Sequence, residues 1–390
     1  MITPFGFATP KIIFGKGRIK ELPVILSRYG RNIVLVTGKN SFMTSSYGKG
    51  LIEKLQSENI SYRQVTVPGE PSPDIVDSAV FDLSGFKPDA VVAIGGGSAM
   101  DAGKAISAML LLNESVVDYL EDVGTKEHPG TKVPFIAVPT TSGTGTEATK
   151  NAVLSRTGKN GFKKSLRHEN ILPDIALIDP ELTINCSPAI TAASGMDCFT
   201  QLTESYLSTK SNPMSDAITS EGIKAVRDSL VECFRNGDNI EARSGMSFAA
   251  LASGIGLANA GLGTVHGIAG AIGGIYEIPH GLLCGTLMAA CNDLTVRKLR
   301  KTGSNPAALK KYASLGRMFF EDNSKSDDYL TDAFINKLNE LTLALRLPGL
   351  KTAGVEESSF STIIAASSSK NNPVKFDDQD LYEVLSMRFV

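Results

Sequence analysis

Asp89-Ala90-Val91-Val92-Ala93-Ile94-Gly95-Gly96-Gly97-Ser98 is the stretch on which the fold turns. Ala90 to Ile94 are apolar without interruption, the pattern of a strand buried on both faces of a parallel sheet. Three glycines then allow a tight turn and close approach to a ligand, and a helical pattern runs from Ser98 to Leu112. A helix starting there offers free N–H groups and a positive dipole end, which suits a pyrophosphate. The usual dinucleotide spacing is not met, because Met100 stands where the last glycine of Gly-x-Gly-x-x-Gly belongs. Alone, such a turn is a weak sign of phosphate binding. Asp101 and Lys104 fall on one face of the same helix, where spacing alone reads as a surface ion pair.

Outward from this point, similar short runs recur. Asn32–Thr37, Ser61–Val67, Lys132–Val138 and Ile175–Ile178 read as further strands with helical patterns between them. That alternation is the signature of a parallel sheet covered by helices. A second loop, Pro139-Thr140-Thr141-Ser142-Gly143-Thr144-Gly145-Thr146-Glu147, also follows an apolar strand and is rich in hydroxyls. Ligands of open α/β sheets bind at strand carboxyl ends, so two such loops favour a nucleotide. Beyond Ser187-Pro188 only long helical patterns remain. The expected division is an α/β domain over 1–187 and an all-helical domain over 188–390.

At 390 residues, 42% hydrophobic and 21% charged, the chain has the composition of a globular protein of about two domains. Its 39 basic and 41 acidic residues leave no electrostatic footprint for nucleic acid or an anionic membrane. Residues 244–276 carry no charge, a length that could span a bilayer. Nine glycines, Asn259 and His266 lie within them, however, and a buried helical core is the better reading. Five cysteines without a Cys-x-x-Cys pair fit reduced cytosolic thiols rather than disulfides or a thiolate zinc site. The N-terminus lacks the basic and apolar regions of a signal peptide, and a cytoplasmic location is expected. Ser367–Pro373 reads as a loop.

Histidines are few enough to weigh singly: His128, His168, His266 and His280. The first two read as loop residues without a role. Asp197 and Gln201 lie one turn apart on a helix face, and His280 follows Pro279 at a helix start. A carboxylate with two imidazoles suits Zn²⁺ or Fe²⁺, although buried structural histidines are the commoner reason for such residues.

Taken together the motifs resemble the iron-containing (group III) alcohol dehydrogenase family. The resemblance runs from Ile13-Phe14-Gly15-Lys16-Gly17 through Gly95-Gly96-Gly97-Ser98-x-x-Asp101, the Thr140–Glu147 loop and Asp179-Pro180-Glu181-Leu182-Thr183. It continues through Gly195-Met196-Asp197, His266, Pro279-His280-Gly281 and Asn372-Pro373, with the fourteen-residue step from His266 to His280 kept. It implies a dinucleotide-binding N-terminal α/β domain with a parallel sheet, an all-α C-terminal domain and a divalent metal in the cleft, the dehydroquinate synthase-like architecture. The implied reaction is hydride transfer between NAD(P) and a small alcohol or aldehyde, or a polyol or sugar-derived alcohol. The resemblance assigns Gly95, Gly96, Gly97 and Ser98 to the cofactor pyrophosphate and counts Asp101 among the cofactor-binding residues. Thr140, Thr141 and Thr144 are assigned to the phosphates and nicotinamide ribose. Lys164 and Leu182 go to the adenosine side, with Lys163 taking over if the register shifts by one. Metal ligation falls to Asp197, His266 and His280, with Gln201 as a possible fourth ligand. A homodimer or larger homo-oligomer is also implied.

Three positions depart from the family pattern. Gln201 stands where a fourth ligand is usually His, and an amide oxygen is the weaker ligand. Gly270 replaces a His four residues after the first metal-binding His, so the substrate is bulkier or the proton leaves through water and ribose hydroxyls. Gly38-Lys39 occupies the turn where NAD-using members tend to place an Asp, which favours NADP over NAD. Two other readings stay open. One is a metal-poor paralogue that binds nucleotide without turnover. The other is a dehydroquinate synthase-like lyase, whose extra basic phosphate ligands have no convincing counterpart between Ser187 and Gly281.

Overall fold

The strand at the centre of the sequence reading runs from Ala90 to Gly95, and every residue in it is buried. In the computed structural model, residues 4–390 are described apart from 113, 159–160, 321–323 and 370. Met1–Thr3 and Lys370, which enter the readings of the N-terminus and of the loop at 367–373, lie outside the described residues. Eight strands are present among the described residues: β1 (Lys11–Phe14), β2 (Asn32–Gly38), β3 (Ser61–Val67), β4 (Ala90–Gly95), β5 (Phe135–Pro139), β6 (Asn151–Arg156), β7 (Phe162–Arg167) and β8 (Ile175–Ile178). Six form a parallel sheet in the order β1-β8-β5-β4-β2-β3. Its middle register pairs Leu35 with Val92 and Val92 with Ile136.

Side chains alternate across each strand, so the sheet feeds two cores. The helices α1 (Leu22–Ser27), α2 (Ser41–Thr44) and α3 (Ser46–Ser57) lie on one face, and Val34 and Val36 pack on the other with α4 (Pro73–Asp82) and α5 (Gly97–Met109). Ile33 and Leu35 pack with Leu22, Ile25, Leu51 and Leu55, on the opposite face. The edge strand β3 carries exposed Arg63 and Gln64, a polar edge that discourages pairing with another chain.

After β8 the chain turns helical, starting with α6 (Pro188–Leu207), whose Ser187 cap accepts from the Ile190 N–H. α7 (Pro213–Arg235), α8 (Ile240–Ala260), α9 (Thr264–Ile275) and α10 (His280–Thr302) follow. A core of Phe199, Leu202, Leu230, Tyr312 and Phe334 holds this half together. The uncharged stretch supplies most of α8 and all of α9, which meet at 99°, and no single described helix is long and apolar enough to cross a membrane. The bend falls at Gly261, whose φ of 73° favours glycine.

Four strands depart from the sequence reading. β1 and the antiparallel pair β6–β7 lie outside the strands it predicts, because β7 carries Lys163, Lys164 and Arg167 and shows no apolar run. The strand expected over 132–138 starts only at Phe135. His128 lies in a loop, as expected, and is buried there: its Nε2 lies 3.2 Å from the Ala108 carbonyl and its Nδ1 accepts from the Gly130 N–H.

Candidate active site

Gly38, Gly95 and Pro139 end three neighbouring strands, so the two loops picked out in the sequence open side by side. The Thr140 N–H donates to the Gly95 carbonyl at 2.9 Å. A Cβ added at Gly97 would sit 2.8 Å from Thr144 Cγ2 and 2.9 Å from its Oγ1. One at Gly96 would sit 3.4 Å from Thr141 Oγ1. Glycine at 97 is therefore a packing requirement, and it leaves the start of α5 facing the threonine loop. Lys39 is exposed beside this opening and makes no ion pair among the described residues. Leu182 sits half-buried in the turn after β8, against the core below the sheet.

Asp101 and Lys104 are not a surface pair: both are buried. The Lys104 ammonium donates to the carbonyls of Thr146, Thr149 and Asn151 at 2.8–2.9 Å and lies 2.8 Å from the Thr149 hydroxyl oxygen. Lysine thus ties the helix after the glycine turn to the end of the threonine loop. Burial pulls its ammonium below the usual range, opposed by Asp101 and Glu147. Oxygen acceptors on this scale keep it protonated, because a neutral amine has too few hydrogens for them.

The threonine loop also reaches the helical half. Gly145, at φ 60°, lies so close to α8 that a Cβ there would be 2.4 Å from the Gly254 nitrogen. Gln201 on α6 donates from Nε2 to the Thr144 carbonyl at 3.2 Å.

One turn before Gln201, Asp197 meets the two histidines. His266 Nε2 is 3.3 Å from Asp197 Oδ1, and the His266 and His280 ring centres are 5.5 Å apart. Gly281 makes this approach possible, since a Cβ there would be 2.3 Å from the Ala193 carbonyl oxygen. One ligand atom each from Asp197, His266, His280 and Cys284 falls within 4.8 Å of all the others. Burial pushes the Asp197 carboxyl up, but the His266 hydrogen bond and the nearby imidazole charges outweigh it, and the group lies below its ordinary value. His280 is lowered to about 4, by burial first and then by the charge of Lys163. Burial also works against charge on His266, yet the Cys284 sulfur, Glu204 and Asp197 raise it well above its ordinary value. Burial pushes the Cys284 thiol up to about 12, so a neutral sulfur adds little and the two carboxylates carry the effect on His266.

This donor set fits a divalent cation. It joins an ionised carboxylate to imidazoles, one of them neutral, and cation binding would compete with a proton at His266 Nε2. His280 Nδ1 and Gln201 Oε1 are buried with no hydrogen-bond partner among the described residues, an uncommon state for polar atoms in a folded chain.

Cys284 and Glu204 escape the sequence reading. Glu204 accepts from the Val265 N–H at 2.6 Å through Oε1 and faces His266 Nδ1 at 2.7 Å through Oε2. Both residues repeat at helical spacing from recognised positions: Glu204 lies three after Gln201 and Cys284 four after His280. That periodicity is the available signal. Of the two lysines, Lys164 pairs with Asp122 and is not brought to the cluster. Lys163 pairs with Glu70, and its Cδ would be 3.4 Å from a Cβ on Gly273 of α9. Gly270, on the same helix, has no atom within 4 Å of where its Cβ would be.

Comparison with known proteins places both halves. Residues 9–180 match the model for iron-containing alcohol dehydrogenases, and residues 191–389 match that for the C-terminal part of the Fe-containing alcohol dehydrogenase family. An NADPH-dependent butanol dehydrogenase of Clostridium saccharobutylicum is 30% identical, over 91% of this chain and 88% of its own. An NAD-dependent methanol dehydrogenase of Bacillus methanolicus is 34% identical over 71% and 72%. The solved alcohol dehydrogenase from Oenococcus oeni superposes with a TM-score of 0.86 at 26% identity, covering 99% of this chain and 100% of that one.

Proposed function

The chain belongs to the iron-containing alcohol dehydrogenase family, and from that premise we propose how its cleft carries the family's reaction. The protein is an NAD(P)-dependent oxidoreductase that acts on the CH–OH group of small alcohols, or on the aldehyde in reverse. One observation carries the assignment of the site. Gln201 hydrogen-bonds the threonine loop that rests on the glycine turn, and the same helix face presents Asp197 one turn earlier. Nucleotide-type and cation-type features therefore converge on one cleft.

Gly95–Ser98 and the start of α5 hold the cofactor phosphates through backbone N–H groups, with Thr140, Thr141 and Thr144 alongside. Lys163, rather than Lys164, reaches toward the cofactor, because its side chain turns toward α9. Asp197, His266 and His280 hold a divalent cation. That ion, Zn²⁺ or Fe²⁺, supplies Lewis acidity toward the substrate oxygen. Glu204 holds His266 in the tautomer that leaves Nε2 free to ligate. Gly270 leaves space beside the cluster, so larger substrates fit and no imidazole from that position moves the proton. Lys39 next to Gly38 favours NADP over NAD. The cleft lies between domains 1–187 and 188–390. A cytoplasmic homodimer or larger assembly completes the proposal, supported by reduced thiols and family resemblance.

Single replacements His266→Ala and His280→Ala test the site. Both are expected to lose cation content and turnover with an aldehyde panel, assayed with NADH and with NADPH. Wild-type metal content and rate in both variants would overturn the assignment, and equal use of the two cofactors would overturn the NADP preference.

A further inference from the structure

Gln201 is a weak candidate for the task its position suggests. Its amide nitrogen is spent on the Thr144 carbonyl, and an amide oxygen is a poor donor to a transition metal. The cluster contains a better one. Cys284 lies one turn after His280 on α10, is fully buried, and its Sγ is 3.5 Å from His280 Nε2.

Donor spacing can be checked against coordination chemistry. With Zn–S near 2.3 Å and Zn–N or Zn–O near 2.05 Å, tetrahedral angles put sulfur about 3.6 Å from nitrogen, and nitrogen about 3.3 Å from oxygen. The observed separations are 3.5 Å for Cys284 Sγ to His280 Nε2 and 3.3 Å for His266 Nε2 to Asp197 Oδ1. Both separations match edges of such a tetrahedron, and the four donor atoms, from three helices, lie within 4.8 Å of one another.

We propose that Cys284 is the fourth protein ligand of the cation, replacing the imidazole that Gln201 cannot supply. The proposal rests on reading Asp197, His266 and His280 as the family's metal site. On binding, the Sγ–H bond breaks, its proton goes to solvent, and a sulfur–metal bond forms from the thiolate pair with no change in oxidation state. An Asp carboxylate and a thiolate then balance a dication within the cluster. Thiolate sulfur shifts selectivity toward Zn²⁺ and away from Fe²⁺. Zinc can accept a fifth ligand, so four protein donors do not close the site to substrate.

X-ray absorption on the zinc-loaded full-length protein reads this directly. Wild type is expected to require one sulfur scatterer at about 2.3 Å besides nitrogen and oxygen at about 2.0–2.2 Å. Cys284→Ser should lose the sulfur and weaken zinc binding by more than about tenfold, the lower limit seen even for outer-shell changes. Cys284→Ala, with a circular dichroism spectrum and melting temperature compared with wild type, guards against a folding defect. Cobalt substitution gives a second readout: a near-ultraviolet thiolate charge-transfer band in wild type that both variants lack. Stoichiometric zinc with only nitrogen and oxygen neighbours, unchanged in Cys284→Ser, overturns the cysteine ligand and leaves the metal site standing. Failure of wild type to bind any zinc or cobalt overturns both.

Discussion

Glu204 reaches two consecutive residues at the start of α9: Oε1 takes the Val265 N–H at 2.6 Å, and Oε2 meets His266 Nδ1 at 2.7 Å. One buried carboxylate thus caps a helix that has no side-chain cap of its own and orients an imidazole on it. Gly263 permits the approach, since a Cβ there would already be 3.0 Å from Glu204 Oε1.

Replacing Glu204 by Ala should therefore cost twice. Losing a partner of a ligating histidine typically weakens metal binding by about 10- to 100-fold. Leaving the buried Val265 N–H and His266 Nδ1 unpaired should cost about 1–3 kcal/mol for each group left unsatisfied. Glu204→Gln keeps one acceptor and should fall between. Competitive metal titration and urea unfolding separate the two effects, and a variant that loses stability while keeping full metal affinity would contradict the orienting role.

Glu147 offers a test by pH. Burial raises its carboxyl from 4.5 to about 7, with a backbone hydrogen bond and then Lys104 opposing, and its Oε1 has no hydrogen-bond partner among the described residues. A carboxyl whose value is higher in the folded state stabilises fully below the unfolded value. That contribution is lost as pH rises through the folded value. Wild type should thus lose stability relative to Glu147→Gln between about pH 4.5 and 7, by up to about 3 kcal/mol. Denaturant midpoints across that range check it; a constant difference between the two proteins defeats the account.

Two glycines on α9 should respond oppositely to alanine. Gly270 has no neighbour within 4 Å of where an added methyl would sit, so Gly270→Ala should gain about 0.5–1 kcal/mol from helix propensity. At Gly267 the same methyl would lie 1.8 Å from the Ser368 carbonyl oxygen. Backbone would have to move, and Gly267→Ala should lose at least about 1–3 kcal/mol. Thermal melts of the pair decide the matter. Equal melting temperatures would mean that the segment at Ser368 gives way freely.

Much of this protein is settled by local chemistry. An unbroken apolar run before Gly95 already requires a strand buried on both faces, and three glycines before Ser98 require a turn into a helix. Those features depend on neighbours in the chain, and the sheet that forms around Ala90–Gly95 agrees with them. The order of Asp197, His266 and His280 is legible for the same reason, as a pattern of types and intervals. Tertiary structure decides the rest. Lys163 and Lys164 differ by one position, and strand geometry sends adjacent side chains to opposite faces, so only the pairing of β7 with β6 fixes which one turns inward. Cys284 and Glu204 look like ordinary helix residues until α6, α9 and α10 pack. The thiol reaches the cluster because Gly281 lets α10 press against α6, a contact between residues more than eighty apart in sequence. Chain periodicity records which face of a helix is shared, but only packing determines what that face meets.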